Sequence, residues 1–486
     1  MTTIVAPRPT APPTPPQPPA TAPAAPPVEG QPLRYPDASS RRMMTARGWW
    51  LVLLNFLLPG SAQVVTGNRR LGRTGIVSTL VMWTLVLAAV VSALAARPFF
   101  LAVATSSFPL VLAQCLMIAY AVLWVVLTAD TLRLVRLVKT GRRARFAIAA
   151  ASIALLVVAS GTAVQAAAMA GTTRDTLGAI FGASGPAIEP SEGYYNILLL
   201  GADHVTTNDS KRFDSISVVS VNAETGATTI TGFPRDMPGF PFSEGPMQER
   251  YPNGHEGHAD PSCGWGSGIN QLNTELEVCQ DGALLYPDAL ANGSTPGIEA
   301  TKDAAEGILG IKIPYYVTID MYAFEALIDA LGGVDITVKE RLPIGGPHHT
   351  GQPLEKWVKG WIEPGKQHMD GFTAQWYARS RHTTSDFDRM RRQRELQQAI
   401  LAQFTPQVVL TRFEEVADAG ADLVNTDVPQ QFIPTLLDLA LKAKEQKVTT
   451  IELTPDGGID EYHPDWAYIQ QLVRSTLHPP TPTPAG

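Results

Sequence analysis

"YYNILLLGAD", residues 194–203, decides how the chain is read. Its unbroken apolar run stops at Gly201 and meets a carboxylate at Asp203, the pattern of a strand buried on both faces at the centre of a sheet. Open α/β sheets gather ligands at the carboxyl ends of their strands, which makes Asp203 a marker for a site.

Working outward, SISVVSVNA (215–223) and ATTITGFP (227–234) flank the turn signal ETG and read as a hairpin. Further strands are expected at 315–320, 334–338 and 448–453. Helical patterns fall at 321–331, ended by Gly332-Gly333, and at 370–379, 388–403, 412–420, 429–443 and 464–476. Strands mixed with helices predict one α/β domain over 190–477, a mixed central β-sheet covered by helices on both faces.

The upstream half belongs to another environment. The formal net charge of −7 and the 45% hydrophobic content are averages over stretches that cannot share one solvent. Residues 1–45 are dominated by Pro and Ala, too poor in apolar surface to offset chain entropy, and are expected to form a disordered cytoplasmic arm without signal-peptide architecture. A membrane region follows at 46–171. Apolar stretches at 76–96, 108–128 and 146–170 each approach the roughly 20 residues a spanning helix needs. Residues 49–65 are shorter, broken by Pro59-Gly60 and flanked by arginines on both sides, which predicts a re-entrant hairpin.

Orientation follows from the basic cluster Arg133, Arg136, Lys139, Arg142, Arg143 and Arg145, placed in the cytoplasm by the positive-inside rule. The domain after the linker 172–189 is then outside the cell, on a multi-pass plasma-membrane protein, and a short Pro-rich tail closes the chain at 478–486. No Asp, Glu or Lys interrupts the three long stretches, which favours a simple anchor over a transport pathway.

Of the three cysteines, Cys115 sits in a span, and Cys263 and Cys279 are exported. An oxidising location predicts that the last two form a disulfide, contributing about 3 kcal/mol if unstrained. His255 and His258 lie nearby at a spacing that matches no common structural zinc site, so their loop is expected to be solvated.

The chemistry gathers around charged strand ends. Arg212 and Asp214 precede the second strand, and Arg235 and Asp236 follow the third. Downstream, RSRHTTSDFDRMRRQRELQQ (379–398) packs Arg379, Arg381, Arg389, Arg391, Arg392 and Arg394 around a turn. Carboxylates suit a hard cation such as Mg²⁺, and arginines suit bidentate recognition of phosphate oxygens. Arg389 and Gln393 are four apart and share a helix face, while Arg391 and Arg394 point elsewhere and are expected to be solvated, paired with Asp386, Asp388 and Glu395. An acidic, exported domain is a poor partner for nucleic acid.

In this order, NILLLGAD, KRFDSISVVSVNAETG, FPRDM, GINQLN, YYVTIDMYAFEALIDALGGVDITV and MDGFTAQWYARSRHTTSDFDRMRRQRELQQAIL resemble the LytR-CpsA-Psr family of cell-envelope proteins. The resemblance covers most of 194–404. It implies an Mg²⁺-dependent phosphotransferase, with pyrophosphatase activity as a side reaction, that moves a glycan from a polyprenyl-pyrophosphate donor onto a peptidoglycan acceptor through a phosphodiester. It further implies Asp203 and Asp214 as the metal pair and Arg212, Arg235, Arg379, Arg381, Arg389 and Gln393 as pyrophosphate ligands. Arg212, Arg235 and Asp236 are the expected catalytic residues, with Asp236 or Asp203 as the base. Gly268 departs from the family's usual basic residue before Ile-Asn. A lipid groove is expected between helix 321–331 and strand 315–320. The competing reading is a protein that binds or presents lipid-linked glycan without turnover. A regulator would need a cytoplasmic output module, for which the arm is too sparse.

Overall fold

The computed structural model describes residues 33–181, 186–202, 212–346, 353–403 and 424–479. Asp203, the expected helix 412–420 and the end of the tail lie outside these. Two compact units divide the chain, residues 1–80 with 123–158 and residues 81–122 with 159–486.

Six helices form the amino-terminal region: α1 (Arg41–Leu57), α2 (Ser61–Thr66), α3 (Arg69–Ala95), α4 (Arg97–Thr105), α5 (Ser107–Val135) and α6 (Arg142–Ile180). Three of the apolar helices are long enough to cross a membrane: α3, the run Ser107–Lys139 that contains α5, and Arg142–Asp175 within α6. Two boundaries differ from the sequence reading. Helix α1 starts inside the expected arm because the Ser40 hydroxyl caps it, accepting from Met43 N. Helix α6 runs through the first half of the expected linker, since Thr172–Ile180 holds no proline and Leu177 packs into an apolar cluster with Leu101.

In the first unit, α1 and α2 turn sharply at Gly60, whose φ of +96° only glycine adopts without strain. Polar groups fasten the turn to α5. Gln63 Nε2 donates to Leu127 O at 2.8 Å and Thr131 Oγ1 at 2.9 Å, and Asn55 Nδ2 donates to Thr128 Oγ1 at 3.3 Å. Small residues and interhelical hydrogen bonds are how apolar helices associate where burial offers little driving force.

The second unit holds a six-stranded sheet built from β1 (Tyr194–Ala202), β2 (Phe213–Asn222), β3 (Thr228–Phe233), β4 (Tyr315–Asp320), β9 (Val424–Thr426) and β10 (Thr449–Glu452), in the order β10-β3-β2-β1-β4-β9. β1 runs parallel to β4 and β3 parallel to β10, and the remaining pairs are antiparallel. Two short ladders lie apart from it: β5 (Val334–Val338) with β8 (Gly365–Met369), and β6 (Leu342–Gly345) with β7 (Val358–Ile362). Residues 334–338 thus form a strand outside the central sheet.

Strand alternation explains why the run at 197–200 is apolar on both faces. Leu198 and Leu200, together with Ile216, Val218 and Phe233, pack against α7 (Pro296–Leu309) and α12 (Trp466–Leu477) in the main core. Leu199 and Gly201 face the other way, toward α8 (Met321–Leu331), α9 (Gly371–Arg379) and α10 (Asp386–Gln403). Each buried leucine contributes roughly 1.5–3 kcal/mol. Helix α11 (Ile433–Lys444) packs against α4.

Candidate functional site

Between the second sheet face and α8, α9 and α10 lies a cavity of about 420 Å³. Its walls are apolar: Val219 and Ile230 from the hairpin, Val317 and Ile319 from β4, Phe324 and Leu327 from α8, and Leu396, Ile400 and Leu401 from α10. Strand 315–320 and helix 321–331 do line it, as the sequence suggested. The hairpin face and the second half of α10 line it too.

Charge collects at one end, where β1 and β4 finish. Asp214, Arg379, Arg389 and Gln393 all reach the cavity there. Arg235 NH1 donates to Asp214 Oδ1, and Arg235 Nε lies 3.2 Å from Asp236 Oδ2. Asp386 caps the cluster from the first turn of α10, 3.0 Å from Arg389 NH2 and 3.7 Å from Arg381 NH1. Arg379 NH1 approaches the Met321 sulfur at 3.1 Å and stacks over Trp376. Arg212 is exposed just before β2.

Electrostatics differ between the two inner arginines. Burial acts to lower the pKa of Arg235, but the charge and hydrogen bond of Asp214 outweigh it and the net shift is upward. Arg389 is shifted downward, first by burial and then by the neighbouring charge of Arg235, with Asp386 opposing both. Arg389 Nε is buried, with no hydrogen-bond partner among the described residues. A desolvated guanidinium with spare donors, beside a second guanidinium, is a site for an anion with several oxygens.

The turn from α9 into α10 is shaped by another arginine. Arg392 Nε donates to Tyr377 O at 2.9 Å, its NH2 to Ser380 O, and its NH1 to Thr384 Oγ1 at 3.2 Å. This clamp sets where Arg379, Arg381 and Arg389 point. Arg394 corrects the sequence reading. It is not solvated but 2% exposed, lying over Gly232 of β3 beside Glu452 of β10, with NH2 donating to Ser215 Oγ at 3.4 Å. A Cβ at Gly232 would stand 2.6 Å from Arg394 NH1 and 2.8 Å from Glu452 Oε2, so the missing side chain makes the room. Arg391 is outward and bonded to Asp388 at 2.5 Å, and Glu395 bonds Lys339 and Tyr377 instead of an arginine.

Residues 239–284 fold over the Arg235-Asp236 turn. Asn270 N donates to Arg235 O at 3.1 Å, and Asn270 Nδ2 donates to Asp236 Oδ1 at 3.1 Å. Gly268 lies so close that a Cβ would be 3.0 Å from Asp236 Cα, leaving no room for a basic side chain without moving the turn. Cys263 and Cys279 are joined, with Cα atoms 5.5 Å apart. His255 departs from the expected solvated loop. It is buried, stacked on Phe240, and bonded to Glu275 Oε2 at 2.8 Å and Ser267 O at 3.0 Å.

Among the described residues no three His, Cys, Asp or Glu side chains converge as a metal group. Of the expected metal pair only Asp214 is described, and its carboxylate is engaged by Arg235. A hard cation would need oxygen donors beyond Asp214, and Asp203, the other residue of the expected pair, lies outside the described residues.

An apolar cavity entered through converging arginines is the geometry on which the family comparison bears. The LytR_cpsA_psr family model matches residues 160–238 and 285–476, more than half of the chain. The chain belongs to this family. Both arginine-bearing strand ends and the whole of α8, α9 and α10 fall inside the matched stretches, whereas 239–284, with GINQLN and both bonded cysteines, falls between them. Biofilm regulatory protein A of Streptococcus mutans is 25% identical over 284 residues, 56% of this chain and 60% of that protein. The polyisoprenyl-teichoic acid–peptidoglycan teichoic acid transferase TagU of Oceanobacillus iheyensis is 25% identical over 276 residues, 56% of this chain and 70% of its own length. The chain thus spans about 60 to 70% of these relatives. The crystal structure of Bacillus subtilis TagV aligns with 22% identity and a TM-score of 0.39, covering 60% of this chain and 97% of that one.

Missed by sequence reading were Asp386 as a partner of the inner arginines, Asn270 as a ligand of Asp236, and the burial of Arg394 near Glu452. The acidic first turn of α10 was a usable signal for Asp386. Asn270 and Glu452 are far from their partners in sequence and carried none.

Proposed function

We propose that this protein is a membrane-anchored phosphotransferase that moves a glycan from a polyprenyl-pyrophosphate donor onto peptidoglycan. The observation that carries this reading is the joined geometry of a buried arginine mouth and an apolar cavity, which matches a ligand with a pyrophosphate head and a hydrocarbon tail. TagU relatives named for this transfer from a polyisoprenyl carrier support it.

The chemistry follows from charge. An acceptor hydroxyl attacks the phosphorus that carries the glycan. The bond from that phosphorus to the bridging oxygen breaks, and polyprenyl monophosphate leaves with the electron pair. Arg235 and Arg389, with Arg379 and Arg381 at the rim, neutralise charge on the non-bridging and leaving oxygens as it builds. Asp236 takes the acceptor proton, held in place by Asn270 and Arg235. Arg212 guards the same strand end. Mg²⁺, held by Asp214 with Asp203, would add Lewis-acid neutralisation when bound, so replacing Asp214 with Asn is expected to weaken metal dependence more than donor binding.

The test is full-length protein in detergent with a lipid-linked glycan and peptidoglycan fragments. Release of polyprenyl monophosphate with glycan attached to the acceptor is expected. Tight donor binding with no turnover would replace this reading with that of a presenting protein.

This function requires the domain outside the cell, on a multi-pass plasma-membrane protein with cytoplasmic loop 133–145. In a Cys115→Ser background, a membrane-impermeant thiol reagent on intact cells is expected to label Ser191→Cys and spare Thr140→Cys. The opposite pattern would remove both the topology and the envelope function.

A further inference from the structure

We infer that the anchor is part of the lipid site: an isoprenoid chain whose phosphate sits at the arginine mouth leaves the cavity at its opposite end, along α11, and reaches the bilayer against α4 and the end of α6. This rests on the donor class proposed above, and it adds a role to the simple anchor expected from the sequence.

The direction comes from β1 and β4, which run in parallel and end together at the mouth, Ala202 opposite Asp320. Their starts, at Tyr194 and Tyr315, therefore define the far end. Leu199 and Val317 line the cavity, and the same two side chains pack into a second apolar cluster with Phe432, Leu436 and Phe181. Phe181 belongs in turn to a third cluster, with Leu101 of α4, Leu177 of α6, and Ile433 and Leu437 of α11. The three groups share members, so contiguous apolar side-chain packing runs from the cavity wall to α4, the surface along which the chain is inferred to lie.

Its polar margin is satisfied: Gln430 Nε2 donates to Thr105 O at 3.0 Å and to Ser107 Oγ at 3.2 Å, fastening the start of α11 to the α4–α5 corner. The opposite side of α4 shows where the path leads. Phe99 and Val103 there are 63% and 40% exposed, on a short helix that joins two helices long enough to cross a membrane. A short helix that packs Leu101 inward and still exposes Phe99 and Val103 offers apolar surface to a bilayer. A cavity of about 420 Å³ is the size of a site for a compact small molecule, roughly 300–1,000 Å³, and holds only part of a long isoprenoid chain. The remaining methylenes need apolar surroundings, which this path supplies without passing through water.

Full-length protein in lipid nanodiscs is photolabelled with two polyprenyl phosphates, one carrying a diazirine in the first isoprene and one at the chain end, and the adducts are mapped by mass spectrometry. The first is expected on α8, near Met321 and Phe324. The second is expected on α11 and α4, within 432–437 and 99–105. Chain-end adducts on the outer face of α9, at Phe372, would overturn the proposal. A second measurement uses Leu436→Trp, which adds bulk on the inferred route. Transfer from a long-chain donor is expected to fall at least about tenfold while a geranyl donor is used nearly as well as by wild type. Equal loss with both chain lengths would overturn the path. Labelling reads binding alone, so a protein that proved unable to transfer would still report the route of the chain.

Discussion

Arg389→Ala is expected to lower glycan transfer by about 10²–10³-fold, the loss typical of removing one preorganised donor from an oxyanion-type site. Three features single this residue out among the six arginines of the 379–394 segment. Its side chain is only 4% exposed, its Nε has no hydrogen-bond partner among the described residues, and it faces the apolar cavity one helical turn before Gln393. Donors already desolvated cost little to present to a phosphate oxygen, and charge that develops there is poorly screened. Folding should survive the change, because Asp386 keeps Arg381 as a partner and its carboxylate is more than one-third exposed. Arg391→Ala is the matched control. That guanidinium is 42% exposed and paired with Asp388, and exposed pairs contribute on the order of 0–1 kcal/mol. Single-turnover transfer measured beside thermal unfolding decides the matter. Activity of the Arg389 variant within threefold of wild type, or loss in the Arg391 variant alone, would refute the assignment of the mouth.

What the sequence made legible was set by how local each signal is. The central strand, its hairpin and β4 were readable because period-2 and unbroken apolar runs report burial directly. The fate of β5 was not, since a five-residue strand pairs equally well in the central sheet or in a ladder of its own, and only the packing of α9 and α10 decides. The arginine cluster at the cavity mouth was half legible. Arg389 and Gln393 followed from i,i+4 spacing, and Arg379 and Arg381 from their place at a helix end. Helical spacing also put Arg394 off that face, correctly, but direction from an axis says nothing about what waits there. A second buried surface, made by β3 and β10, receives it, and Gly232, 162 positions away, is what makes the room. Arg392 was equally opaque because its partners are backbone carbonyls, which no side-chain pattern announces.

Those two buried charges give the second large effect. Arg394→Ala is expected to destabilise the domain by about 1–3 kcal/mol at pH 8, because the buried Glu452 carboxyl loses the favourable field of the Arg394 cation and must hold a proton in the fold. Burial raises the Glu452 pKa from its ordinary 4.5 to about 7, with Arg394 and then Arg391 opposing the shift, and burial lowers that of Arg394 to about 10. A carboxyl with a raised folded pKa binds more protons folded than unfolded between 4.5 and about 7, so its contribution to wild-type stability falls as pH rises through that window. Without Arg394 the shift grows, and the carboxyl stays protonated in the fold to still higher pH. The gap between variant and wild type should therefore be largest at pH 8 and shrink toward pH 5, where Glu452 is neutral in the folded state of both proteins. Combining Arg394→Met with Glu452→Gln should recover most of the loss, because no buried charge remains to compensate. Thermal unfolding of the full chain in detergent at the two pH values measures this directly. A deficit of equal size at pH 5 and pH 8 would mean that Arg394 supports the sheet through packing over Gly232 and not through the charge of Glu452.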